Sequence, residues 1–321
     1  MNIHKIHSIS KKICVAFLGG FLLVFLLFHA TANLFILRHD GGEWYSAFCH
    51  FMGTNWIVKI FEIVLLAFLA LHILLTVWLA IDNRMKRPVR YHHPSRTKTH
   101  TTSKLMVWTG ILIFACLLLH FTDFYFVKTG ITKGVYMTKT ANLESDDLLM
   151  LQQVCMQQGV APADAYSLME MEASGYASQL GPEEQAMLTK KMEQMKAIVP
   201  VCDFLNSANQ EGRMPDDKTW IRNISEQEKA MLEEALGTIE TEPDFYCQAR
   251  EKFSNLHIVI SYLFFFAVVL LHLLHAFPSA FQTLGLNNYK YNNIIEILGR
   301  IYAWGVTLAF ALVPILVYLG Q

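Results

Sequence analysis

Five apolar runs decide what this chain can fold into. They cover residues 13–37, 56–81, 105–127, 256–281 and 294–319, each 23 to 26 residues long. At a helical rise of about 1.5 Å per residue they reach about 35 to 39 Å, enough to cross a hydrocarbon core of about 30 Å with some tilt. Lipid offers the backbone no hydrogen-bond partner, so each run is expected as a helix. A soluble helical core could hide one such run, but not five. The first run has no small-x-small cleavage pattern and continues to Leu37, so it reads as a span rather than a removed signal segment.

The 321 residues carry 26 basic and 27 acidic side chains, a balance too neutral for a nucleic-acid binder. That balance is a sum of opposites. Residues 131–250 hold 20 of the acids and 10 of the bases, and the remaining 201 residues hold 7 acids and 16 bases. The chain therefore divides into a membrane part at 1–130 (spans one to three), an acidic insert at 131–250, and a membrane part at 251–321 (spans four and five). The loop 82–104 carries Arg84, Lys86, Arg87, Arg90, Arg96, Lys98 and Lys104 against Asp82 alone, and Lys5, Lys11 and Lys12 precede the first span. The positive-inside rule makes both cytoplasmic. Five spans then put the insert and Gln321 outside. Trp44, Trp56, Trp78 and Trp108 fall near the expected interfaces, as membrane-lipid anchors do.

The insert is expected as a small helical domain. Residues 144–158 and 164–173 read as helices. Pro182 to Ile198 is a third, with Glu183 and Glu184 in its first turn. Ser225 and Glu228 form a capping-box pattern for a fourth, running to about Leu236. Cys155, Cys202 and Cys247 lie here and Cys49 lies on the same outer side. Four cysteines allow three pairings, and spacing does not choose among them.

The strongest chemical signal is histidine inside the spans: His29, His72, His120, His272 and His275, with His257 at a span start. Ionisable rings in lipid are costly and mark function. His29 and His120 each lie about 16 residues into outward-running helices, roughly 24 Å from the inner end. His72 and His275 lie nine and six residues above the inner ends of spans two and four. Two pairs at two depths fit two bis-histidine haems better than zinc, which wants four ligands in one shell, and two strong axial ligands suit electron transfer. His272, nearly one turn before His275, competes for the fourth ligand position, and depth favours His275. Otherwise His272 would serve a haem propionate or edge. Glu62 is ten residues before His72, near the depth of the outer pair, where a carboxylate could take a proton from a quinol. The plainer role is a helix-end carboxylate paired with Lys59 or Lys252. His257 could hydrogen-bond a quinone. Asp123, one turn beyond His120, reads as a carboxylate snorkelling outward.

Three stretches carry a family resemblance. They are Phe28-His29-Ala30-Thr31-Ala32-Asn33-Leu34; Thr109-Gly110 ahead of His120; and, most specific, His272-Leu273-Leu274-His275-Ala276-Phe277-Pro278-Ser279-Ala280-Phe281-Gln282-Thr283-Leu284-Gly285. The chain resembles the dihaem cytochrome b membrane-anchor subunits of succinate dehydrogenase and quinol:fumarate reductase. The resemblance implies an all-α, five-helix dihaem bundle with two haem b groups. It implies an inner haem held by His72 and His275 and an outer haem held by His29 and His120. Menaquinone or menaquinol is expected near the outer haem, with Glu62 and His257 as the candidates beside it. A flavoprotein subunit and an iron–sulfur subunit are the implied cytoplasmic partners, and the dicarboxylate chemistry is theirs. The basic 82–104 loop, with Tyr91, His92 and His93, is the expected docking face, and a dimer of heterotrimers is left open. Two departures stand out. Leu273 occupies the place where some relatives carry a proton-conducting glutamate, and the 131–250 insert has no counterpart in the usual short loop. The alternatives are a dihaem quinol-oxidising cytochrome b serving another membrane dehydrogenase, or a haem-free structural anchor.

Overall fold

The computed structural model describes residues 3–86, 101–214, 220–286 and 288–320. Most of the expected docking loop, including Tyr91, His92 and His93, lies outside them. In chain order the elements are α1 (Ile3–Leu34), α2 (Glu43–Thr54), α3 (Trp56–Met85), α4 (Thr101–His120), a π-helical turn (Phe121–Tyr125), α5 (Phe126–Lys128), β1 (Tyr136–Lys139), α6 (Asp146–Gln158), α7 (Pro162–Ala177), α8 (Pro182–Gln210), β2 (Trp220–Ile224), α9 (Glu226–Leu236), β3 (Thr241–Pro243), α10 (Phe245–Phe253), α11 (Leu256–Thr283) and α12 (Asn292–Tyr318). They pack as two units. One holds Met1–Asp123 with Ala249–Gln321, and the other holds Phe124–Gln248.

The first unit contains five helices long and apolar enough to cross a membrane: Ile9–Leu37, Trp56–Met85, Leu105–Lys128, Leu256–Thr283 and Asn292–Tyr318. The chain is a polytopic membrane protein with a non-membrane insert. α11 is the hub, packed on α12, α4 and α1, while α1 also packs on α12 and α3. Close approach is made by small residues. Ala30, Val269, Leu273, Ala303 and Val306 form the shared core, and Gly299 sits so near Phe277 that a Cβ would come 2.9 Å from its Cδ1. The Tyr302 hydroxyl ties α12 to α1 by donating to the Leu23 carbonyl at 2.6 Å. α3 is different. It has no fully buried residue, and Ile57, Ile60, Ile63, Leu71, Leu74, Val77, Trp78 and Ile81 are all exposed. Such an apolar surface needs lipid or protein against it. Asn55 caps α3, its side chain accepting from the backbone N–H groups of Ile57 and Val58 at 2.9 and 3.3 Å. The twelve-residue α2, rich in aromatic residues, was not anticipated.

The second unit has the four expected helices. Ser145 caps α6. Ser225 and Glu228 form a capping box on α9, where burial disfavours the Glu228 charge but Ser225 and Arg213 hold its carboxyl below the usual range. α8 extends well beyond the expected Ile198, through Pro200, because its apolar face continues as Val201, Cys202, Phe204 and Ala208. The insert is mainly helical, as expected, and adds a small sheet. A three-stranded antiparallel sheet in the order β2-β1-β3 runs beside the helices. Its strands are three to five residues long, and Ile221 and Ile224 project from it into a core with Leu143, Leu151, Met195, Val201 and Leu232. Each such side chain contributes about 1.5–3 kcal/mol on burial. Beneath the sheet Arg222 meets the fully buried Asp244 in a two-pronged ion pair, with bonds of 3.1 and 2.9 Å. Burial alone would lower the guanidinium's pKa; the bonds and charge of Asp244 outweigh it and hold the group above its ordinary value.

Candidate functional site

α1 and α4 bring His29 and His120 together. Their ring centroids are 6.0 Å apart with planes at 75°. Two metal–imidazole bonds of about 2.0 Å each, plus the half-widths of two five-membered rings, add to roughly the same span. The pair is walled by aromatic rings: Phe25 stacks on His29 at 5.2 Å, Phe310 lies 5.5 Å from it, and Tyr262 meets His120 edge-on at 6.3 Å. Asn33, one turn along α1, anchors the His29 side, its amide 3.3 Å from Nδ1 and donating to the His29 carbonyl at 2.7 Å. The Tyr45 hydroxyl donates to the Asn33 side-chain oxygen at 3.3 Å, and burial raises the pKa of that phenol. A ligand histidine held from behind by a hydrogen-bonding side chain keeps one ring orientation.

A second group forms on α3 and α11. His72 packs over Gly19 of α1, where a Cβ would come 3.4 Å from its Cε1. The His72 Nδ1 is buried without a hydrogen-bond partner among the described residues; the Val15 carbonyl faces it without meeting the geometry of a bond. His272 interacts electrostatically with both His72 and His275. Thr109 anchors His272: its hydroxyl lies 3.0 Å from the Met106 carbonyl and 3.1 Å from His272 Nδ1, which leaves Nε2 as the ring nitrogen turned away from that bond. Leu273 is buried in the helix core.

Glu62 and His257 occupy separate places. Glu62 is half-buried on α3; the His257 ring is exposed at the start of α11, whose cap Asn255 accepts from its backbone N–H. Helices α3 and α11 are not principal packing partners. Lys252, one of the plainer partners considered for Glu62, is paired with Asp123 at 3.1 Å.

Asp123 corrects the sequence reading. It does not snorkel outward. It is buried, 5% exposed, and accepts a 2.9 Å bond from the buried Tyr262 hydroxyl. The cause is the π-helical turn Phe121–Tyr125 directly after His120. A π turn inserts an extra residue and rotates the following positions around the helix. A chain of contacts results: His120, the Tyr262 ring, Asp123 and the half-exposed Lys252. Tyr262 carried no signal at the sequence level, being one aromatic residue in an apolar run.

Among the described residues no three or more His, Cys, Asp or Glu side chains gather as a metal site. A closed tetrahedral zinc shell needs four ligands. A haem iron asks the protein for two axial ligands at most, and the spacing of His29 and His120 is compatible with that demand. No family model, curated protein or solved structure matches the chain.

Proposed function

We propose that this protein is a dihaem membrane cytochrome b that passes electrons between menaquinol or menaquinone and the iron–sulfur subunit of a succinate dehydrogenase or fumarate reductase complex. The observation that carries the reading is the His29–His120 pair, two imidazoles 6.0 Å apart inside a five-helix membrane unit. Haem supplies a one-electron carrier whose axial positions take imidazole. His29 and His120 would hold the outer group, with Asn33 and Tyr45 orienting His29. His72 and His275 would hold the inner group, with His272, bonded to Thr109, beside them at the haem edge.

Gly19 and Gly110 bring the backbones of α1 and α4 close to these rings, where a Cβ would stand in ordinary contact with His72 and His272 at 3.4 and 4.0 Å. The quinone is assigned to the outer side. Besides Glu62 and His257, the Tyr262–Asp123–Lys252 group beside His120 is placed to orient it. Orientation follows the positive-inside rule, with the N-terminus and the basic loop cytoplasmic and the insert periplasmic. Dicarboxylate chemistry belongs to the flavoprotein partner.

The test is a reduced-minus-oxidised spectrum of the purified complex with haem quantified per chain. Two b-type haems are expected. His29→Ala removes one, His275→Ala removes the other, and His272→Ala leaves both. Absence of any b-type signal refutes the reading, and loss of the inner haem from His272→Ala alone refutes the ligand assignment. Co-purification with a different dehydrogenase would keep the cytochrome and reject the complex.

A further inference from the structure

Four cysteines fall on the expected outer side, and the fold sorts them. Cys155 on α6 and Cys202 on α8 belong to one core cluster of the insert, on helices packed directly together. Their thiols lie close enough to interact with each other. Cys247 instead interacts with Arg222, and Cys49 with Tyr45.

We propose that Cys155 and Cys202 form a structural disulfide that clamps α6 to α8. Thiols packed against one core on directly contacting helices need only side-chain rotations to reach a bond of about 2.05 Å, and an exported domain has the oxidising surroundings in which disulfides persist. The bond forms by exchange with the disulfide of a dithiol oxidoreductase. The half-buried Cys155 thiolate attacks that disulfide and releases one enzyme thiolate. The Cys202 thiolate then attacks the Cys155 sulfur of the mixed disulfide and releases the second. Two electrons and two protons pass from the cysteine pair to the enzyme, which leaves as the dithiol. Closure belongs to folding rather than to the finished domain. Once α8 is packed, burial and the neighbouring Cys155 push the Cys202 thiol up to about 12, and a thiol without its thiolate does not exchange.

The proposal rests on the outward placement of the insert and on nothing about haem. The test uses the full chain in its native membranes, denatured in the presence of N-ethylmaleimide without reductant, digested and read by mass spectrometry. A peptide pair joining Cys155 to Cys202, with neither carrying maleimide, is the expected result. Maleimide on both residues, or a link from either to Cys49 or Cys247, overturns it. Cleavage of the insert by protease added to intact spheroplasts checks its placement separately, so free thiols in a cleavable insert reject the disulfide and keep the orientation. Cys155→Ser should raise the rate of insert proteolysis about 30-fold, matching reduced wild type and leaving the haem spectrum unchanged. A variant as resistant as the oxidised wild type overturns the clamp.

Discussion

Replacing Asp244 by Asn removes one charge from a buried, two-pronged ion pair while keeping the shape of the side chain. Asp244 has no exposure and Arg222 is 8% exposed, so the guanidinium left behind cannot turn to water without opening the sheet. A guanidinium also cannot discard its proton. Breaking a buried pair from one side costs about 3–5 kcal/mol. Two features place this case near the lower bound: the Tyr246 ring lies 4.8 Å from the guanidinium, a contact of about 0.5–1 kcal/mol or more, and the Asn oxygen can still accept from the Cys247 backbone N–H, 3.1 Å from the carboxylate. About 3 kcal/mol is roughly a hundredfold in the opening equilibrium. Arg222→Met should cost less, because the stranded carboxylate keeps the Cys247 and Asn223 N–H groups and can neutralise itself by binding a proton. Hydrogen exchange at the Ile221 and Ile224 amides of the full-length protein reads both costs. Equal protection in the two variants, or a larger loss in Arg222→Met, would refute the reasoning.

Three further outcomes follow from the geometry. Gly299→Ala drives a methyl to 2.9 Å from Phe277; overpacking of this kind costs about 1–3 kcal/mol, and the Tm of the detergent-purified protein should fall, whereas an unchanged Tm would mean that Phe277 yields freely. Asp123→Asn and Tyr262→Phe should each destabilise the membrane unit by about 1–3 kcal/mol, with a double-mutant coupling above about 0.5 kcal/mol; strict additivity would show the bond between them to be idle. The Tyr136 phenol is pushed up to about 12 by burial and by its bond to Glu226. Its contribution is therefore complete below the ordinary value near 10 and is lost as pH rises towards 12, so Tyr136→Phe should flatten the alkaline limb of the insert's stability profile, measured by exchange or proteolysis between those values.

The five membrane helices were legible because lipid demands a long apolar run, and 56–81 or 294–319 can be little else. The capping box at Ser225 was legible because its signature is local. The insert's sheet was not: β3 is Thr241–Pro243, too short and too polar to show a period of two. Asp123 misled because the reading assumed 3.6 residues per turn across the Phe121–Tyr125 π turn, which no local pattern announced. The Thr109 bond to His272 was not legible either, because its partner lies 163 residues away in sequence. Periodicity alone leaves two residues three apart on nearly the same face.

The contact between Asp123, Tyr262 and Lys252 has an architectural consequence. Asp123 is the last residue of the membrane unit before the insert begins, and Lys252 stands just after the chain returns. The ion pair therefore staples the exit of the excursion to its re-entry. With both ends fixed by the bundle, the length of what lies between carries little entropic weight, since each doubling of a closed loop costs only about 0.6 kcal/mol. The staple makes 124–248 a replaceable cassette. A short flexible linker in its place should leave the five-helix body folded, and cassettes of other sizes could occupy the same port.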